Sequence, residues 1–139
     1  MHKLVLVVGL VGSAAFAAEA KFELKGDAGK GATTFKTLCV SCHGETGKGD
    51  GAAAAALTPK PCNFTDPVNA ERLTDEHVYK TIKDGGAAVG RSPLMVAWSS
   101  TLKDDQIRDV AAYVLSFKPA PAPAKKDAAK AGKPAPAKK

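Results

Sequence analysis

Cys39-Val40-Ser41-Cys42-His43 constrains this chain more than any other stretch. Three rare residue types coincide at fixed spacing, and a Cys-x-x-Cys-His run is the attachment signature of a c-type haem. Residues three and four apart share a helix face. On a helical turn Cys39 and Cys42 therefore grip one edge of a porphyrin, through thioether bonds to its two vinyl groups, while His43 reaches the iron from the proximal side. Two rival readings of the cysteine pair fail on context. A redox Cys-x-x-Cys belongs near a βαβ pattern, and none is found around it. Half of a zinc site wants a second ligand pair, and only Cys62 and His77 are left to supply one.

At 139 residues the chain has room for one domain. Residues 1–20 have the form of a secretory signal peptide: Lys3 gives a basic start, Leu4 to Phe16 is apolar, and small residues follow. Ala15-Phe16-Ala17 and Ala18-Glu19-Ala20 each offer a cleavage site. The apolar run falls short of the roughly twenty residues a membrane span needs. Export places the protein in a periplasm, which also suits a haem attached outside the cytoplasm. Residues 21–118 form the expected domain, and 119–139 a tail.

The basic balance, +6 overall, belongs to that tail. Residues 21–117 carry twelve Lys or Arg and twelve Asp or Glu, whereas 118–139 carry seven lysines against Asp127 alone. A nucleic-acid-binding domain would concentrate its cations on a folded surface, so that class is excluded. The tail has no Leu, Ile, Val or aromatic residue and cannot bury enough apolar area to offset its ordering entropy. Its prolines keep it extended. It reads as a solvated spacer, with a second reading as a tether in peripheral contact with anionic surfaces.

The domain between reads as all-α. Asp27 to Cys42 is expected as a first helix, with Phe35 and Leu38 on one side. The glycine-rich run Gly44 to Gly51 fails as a phosphate loop, since Cys42 and Gly49 occupy positions a Walker motif gives to Gly and Ser or Thr. It reads as a flexible turn, and Ala52 to Leu57 as a short helical stretch. Thr58 to Pro67 is rigid and mostly extended. Thr74 has the character of an N-cap, with Asp75 and Glu76 suited to the helix dipole, and Gly85-Gly86 stops that helix. The last helix covers about Asp104 to Phe117, where Ile107, Val110, Ala111, Val114 and Leu115 keep the spacing of one buried stripe. Pro119 bars its continuation.

These elements in order, from the attachment motif through Gly47 to Gly51, Pro59-Lys60-Pro61, Gly90 to Met95 and the closing helix, resemble a class I monohaem c-type cytochrome of the bacterial periplasmic kind. The resemblance covers residues 27 to 117. It implies a small cytochrome c fold with crossed N- and C-terminal helices around one covalently bound haem c. Gly31 and Phe35 would then meet Val110 and Tyr113, although Tyr113 also suits an ordinary surface position. Met95, the only methionine besides the initiator, matches the family's distal-ligand loop, so the expected iron ligands are His43 and Met95. His77 is the competitor for a bis-histidine site, but its charged neighbours read as solvent-exposed. In relatives a proline carbonyl orients the proximal histidine, for which Pro59 and Pro61 are both candidates. Trp98 resembles a family tryptophan near the haem propionates, or is a plain core residue. Val96 stands where the family has proline, which predicts a less rigid ligand loop. Cys62 is left over as an odd cysteine, either an unreactive, partly covered thiol or a site of intermolecular disulfide or redox switching. Asn63-Phe64-Thr65 has the form of a glycosylation acceptor, which a periplasm gives little reason to use.

Sulfur opposite nitrogen fills both axial positions and raises the potential relative to two imidazoles. With no open site the iron exchanges electrons and does not bind substrate. The reading is therefore a non-enzymatic electron carrier in the periplasm. It would shuttle single electrons between redox partner proteins: a donor dehydrogenase or cytochrome complex, and an acceptor oxidase or reductase. The alternative is a haem-bearing subunit of a larger oxidoreductase, and behind it a peroxidase or gas sensor with a vacant sixth position.

Overall fold

A computed structural model describes residues 21–120. Every regular element among them is helical. Four α-helices, α1 (Ala28–Leu38), α2 (Val40–His43), α3 (Asp75–Asp84) and α4 (Asp104–Ser116), are joined by loops carrying 3-10 turns at Ala54–Ala56, Pro67–Arg72 and Gly86–Val89. The signal peptide at 1–20 and all but the first two residues of the 119–139 tail lie outside the described residues.

Local chemistry explains the boundaries. The Asp27 carboxylate caps α1, accepting from the Gly29 and Lys30 amides at 2.8 and 3.2 Å. The single helix expected over Asp27 to Cys42 is instead two. Cys39 opens to φ −111°, although its N–H still reaches the Phe35 carbonyl at 2.9 Å, and α2 restarts at Val40. Thr74 caps α3 as expected, its hydroxyl accepting from the His77 amide at 3.2 Å. The glycine-rich loop is not slack. Its Gly49, Gly51 and Ala53 amides fold back on the carbonyls of His43, Cys42 and Ser41, satisfying the last turn of α2.

α1 packs across α4 around a core of Phe35, Ile107, Val110, Ala111 and Val114. The crossing is close because Gly31 lies directly on the α4 backbone: a Cβ there would overlap the Asp109 carbonyl and sit 2.9 Å from the Val110 nitrogen. Phe35 and Tyr113 meet edge to face at 5.2 Å, so the half-buried Tyr113 belongs to this interface. On the other side of α4, Asp104 accepts from Tyr79, from Lys83 at 3.3 Å and from Arg108 at 2.7 Å, tying α3 to the start of α4. Arg108 lies over the Phe22 and Tyr79 rings and holds the N-terminal arm in place.

Candidate functional site

The two ends of this frame enclose a mostly apolar cavity of about 420 Å³. Cys39, where α1 gives way to α2, and His43, at the end of α2, form one wall; Met95 forms another. Cys42, one turn beyond Cys39, is half-buried beside the cavity and does not line it. Burial and the neighbouring Cys42 push the Cys39 thiol up to about 11, so it is neutral at ordinary pH.

His43 is held inward. Its Nδ1 is buried and makes no hydrogen bond of normal geometry, and the residue lines the cavity. Burial pulls its pKa below the usual histidine value, and the Cys62 backbone opposes this. A backbone group that raises a histidine pKa is a carbonyl favouring the protonated ring. The backbone acting on the ring is thus the carbonyl of Cys62, the residue after Pro61.

The Met95 loop is anchored by its backbone. The Met95 carbonyl accepts from Gly86 at 2.8 Å, and the Trp98 amide donates to Ile82 at 3.0 Å, both at the C-terminal end of α3. Trp98 is half-buried on the cavity wall. Leu94 and Val96, on either side of Met95, are 54% and 56% exposed.

Sequence reasoning missed the charge of the cavity. His77 is half-buried on its wall rather than solvent-exposed, and Arg72 and Arg91 line it from the Pro67–Arg72 turn and the Met95 loop. Burial lowers the His77 pKa first, and the two guanidiniums lower it further. No Asp or Glu lines the cavity, and neither arginine is ion-paired among the described residues. Cys62 is half-buried on the same wall; desolvation raises its thiol pKa, against the pull of the same two arginines. The signal for His77 was present in α3. It and Thr81 flank the buried Val78 and Ile82, so one helix face carries all four.

This donor set fits a haem. The interior is apolar, the Cys39 thiol lines it with Cys42 one turn away, an imidazole and a thioether also line it, and unpaired guanidiniums suit the carboxylates. The comparisons agree. The family model for Cytochrome c matches residues 28–118. Cytochrome c-554(548) of Halomonas halodenitrificans is 36% identical over 91 residues, covering 66% of this chain and 96% of that protein. The cbb3-type cytochrome c oxidase subunit FixP of Bradyrhizobium diazoefficiens is 34% identical over 91 residues, but the chain spans only 28% of its length. Among solved structures, a chain of the Kuenenia stuttgartiensis reducing HAO-like protein complex superposes with a TM-score of 0.55 at 31% identity. The match covers 70% of this chain and 46% of that one. With its helical frame, attachment motif and apolar cavity, the chain belongs to the cytochrome c family and carries that family's covalently bound haem c.

Proposed function

We propose that this chain is an electron carrier whose haem is bonded to Cys39 and Cys42 and ligated by His43 and Met95. One observation carries the ligand assignment: Met95, far from the attachment motif in sequence, lines the same cavity as Cys39 and His43. The bound haem supplies a one-electron ferric/ferrous couple. The protein does the rest. Phe35, Val110 and Val114 line the cavity and exclude water from it. The Gly86 and Ile82 hydrogen bonds hold the Met95 loop in place, so that the Met95 thioether and the His43 imidazole would together ligate the iron. With both protein ligands bound, the iron would have no site left for a substrate and would only pass an electron. Arg72 and Arg91, which line the cavity, would hold the haem carboxylates, and their charge would favour the ferrous state. Exposed Leu94 and Val96 beside Met95 give a redox partner a small apolar contact, suited to brief encounters.

The periplasm is the proposed compartment, reached by the signal at 1–20, with residues 119–139 a solvated tail. A second reading, as the haem-bearing part of a larger oxidoreductase, is favoured by two relatives. One is described as an oxidase subunit, and the other is a chain of a protein complex. Spectroelectrochemical titration of the Met95→Ala holoprotein tests the ligand set. The potential should fall and carbon monoxide should bind; an unchanged potential and spectrum would overturn the assignment.

A further inference from the structure

Residues 21–117 carry no net charge, yet their cations are unevenly placed. Lys60, Arg72 and Arg91 line the cavity, and no Asp or Glu does. Asp66 and Glu71, the acids nearest Arg72 in sequence, stay outside it. A bound haem would bring two carboxylates, enough to balance Arg72 and Arg91. The folded part then keeps little free positive charge at this face.

Further charge arrives from the far end of the chain. Just past α4, the Lys118 Nζ donates to the Leu73 carbonyl at 2.8 Å, across 45 residues of sequence. Leu73 is 4% exposed, lines the cavity and follows directly on Arg72. The bond therefore makes the 119–139 tail depart from the cavity rim. That tail holds six lysines against Asp127 alone. Lys125 and Lys126 are separated from the anchor by at most about 28 Å of fully extended chain. Charge acts over about 30 Å at 0.01 M salt, so both are felt at the rim.

The elements that carry the two arginines also expose apolar side chains. Val68 is 82% exposed on the Pro67–Arg72 turn, and Leu94 and Val96 are 54% and 56% exposed on the loop after Arg91. We propose that Lys118 anchors the basic tail beside the haem cavity, where its lysines steer an acidic redox protein onto these apolar residues. This rests on the electron-carrier reading above. Two observations favour an acidic protein over a lipid surface. A lipid-binding tail would serve from any exit point, which leaves the Leu73 bond idle, whereas a redox partner must meet the haem. The tail also has no Leu, Ile, Val or aromatic residue to bury among lipids. Opposite charge speeds the encounter, and a small apolar contact lets the partner leave after transfer.

The test measures reduction of the ferric holoprotein by two reductants. One is reduced flavodoxin, an acidic protein; the other is lumiflavin semiquinone, small and uncharged. At 0.01 M salt a chain ending at Lys118 should react with flavodoxin about tenfold more slowly than the full chain, and at 0.5 M salt equally fast. Lumiflavin should reduce both alike. Lys118→Gln releases the tail and should slow flavodoxin more than Lys130→Gln, which removes the same charge and keeps the anchor. Equal flavodoxin rates with and without the tail at low salt, or a slowing that extends to lumiflavin, overturn the proposal. Equal effects of Lys118→Gln and Lys130→Gln overturn it too, since the anchor would then do nothing. Tail-dependent sedimentation with phosphatidylglycerol vesicles, together with unchanged flavodoxin rates, would assign the tail to lipid instead. A full chain that takes an electron from neither reductant would remove the electron-carrier reading beneath.

Discussion

Gly31→Ala sets two effects of known size against each other. Alanine gains up to about 1 kcal/mol over glycine inside a helix. Against this, the added methyl meets the backbone of α4, overlapping the Asp109 carbonyl and lying 2.9 Å from the Val110 nitrogen. Backbone atoms of a packed helix cannot swing aside as the end of a flexible side chain can. The helices must separate instead, and separation loosens Phe35, which is 1% exposed against Val110 at 1%. Overpacking of this kind costs about 1–3 kcal/mol, at the upper end where backbone must shift. The net expectation is a loss of about 2 kcal/mol, or a fall in Tm of roughly 8–16 °C for a domain under 100 residues. Gly29→Ala, in the same helix, is the control. Its Cβ would meet only the Asp27 carboxylate at 3.2 Å, and its stability should stay within about 0.5 kcal/mol of wild type. Thermal unfolding of the three holoproteins, followed by far-UV circular dichroism, measures both. If Gly31→Ala is as stable as wild type or more so, helix propensity has won and the close contact of α1 with α4 is refuted.

Removing the cations of the cavity should act on the haem rather than on the fold. Arg72→Gln and Arg91→Gln, both at exposed and unpaired positions, should each lower the reduction potential, because a positive charge near the iron disfavours the ferric state. Potentiometric titration checks the direction, and a rise in either variant contradicts the placement. A separate pH dependence follows from Asp104, whose hydrogen bonds to Tyr79 and Arg108 hold its pKa at about 2 against an ordinary 3.8. A depressed carboxyl pKa stabilises the fold above the unfolded value, so this contribution is complete above about pH 4 and is lost as pH falls from there toward 2. Acid unfolding of Asp104→Asn should be flatter than that of wild type across this window; parallel curves would contradict the link between α3 and α4.

Much of the frame was legible because its signals are local. Thr74 and Gly85 mark the ends of α3, and the Ile107–Val114 stripe marks α4, each by chemistry carried within a few residues. The attachment motif was legible for the same reason. The break at Cys39 was not, because the weak helix formers around it, Thr37, Cys39, Val40 and Ser41, lower propensity without marking a stop as Gly or Pro would. His77 was misread from its immediate neighbours, Glu76 and Lys80, when the relevant pattern was the face it shares with Thr81, Val78 and Ile82.

Arg72 and Arg91 carried no sequence signal at all, and the reason bears on function. The zero net charge of residues 21–117 suggests an even mixture, but the cavity wall is a local exception, with two guanidiniums and a histidine acting on one another and no carboxylate among them. The guanidiniums disfavour a further positive charge on His77, and none of twelve available acidic residues lines the cavity to offset them. A protein that leaves such a conflict unrelieved in its own chain does so at sites where something else relieves it. The two carboxylates of a haem are an occupant of the right charge. Filling the cavity therefore answers at once for its apolar volume, its inward imidazole and its unbalanced rim.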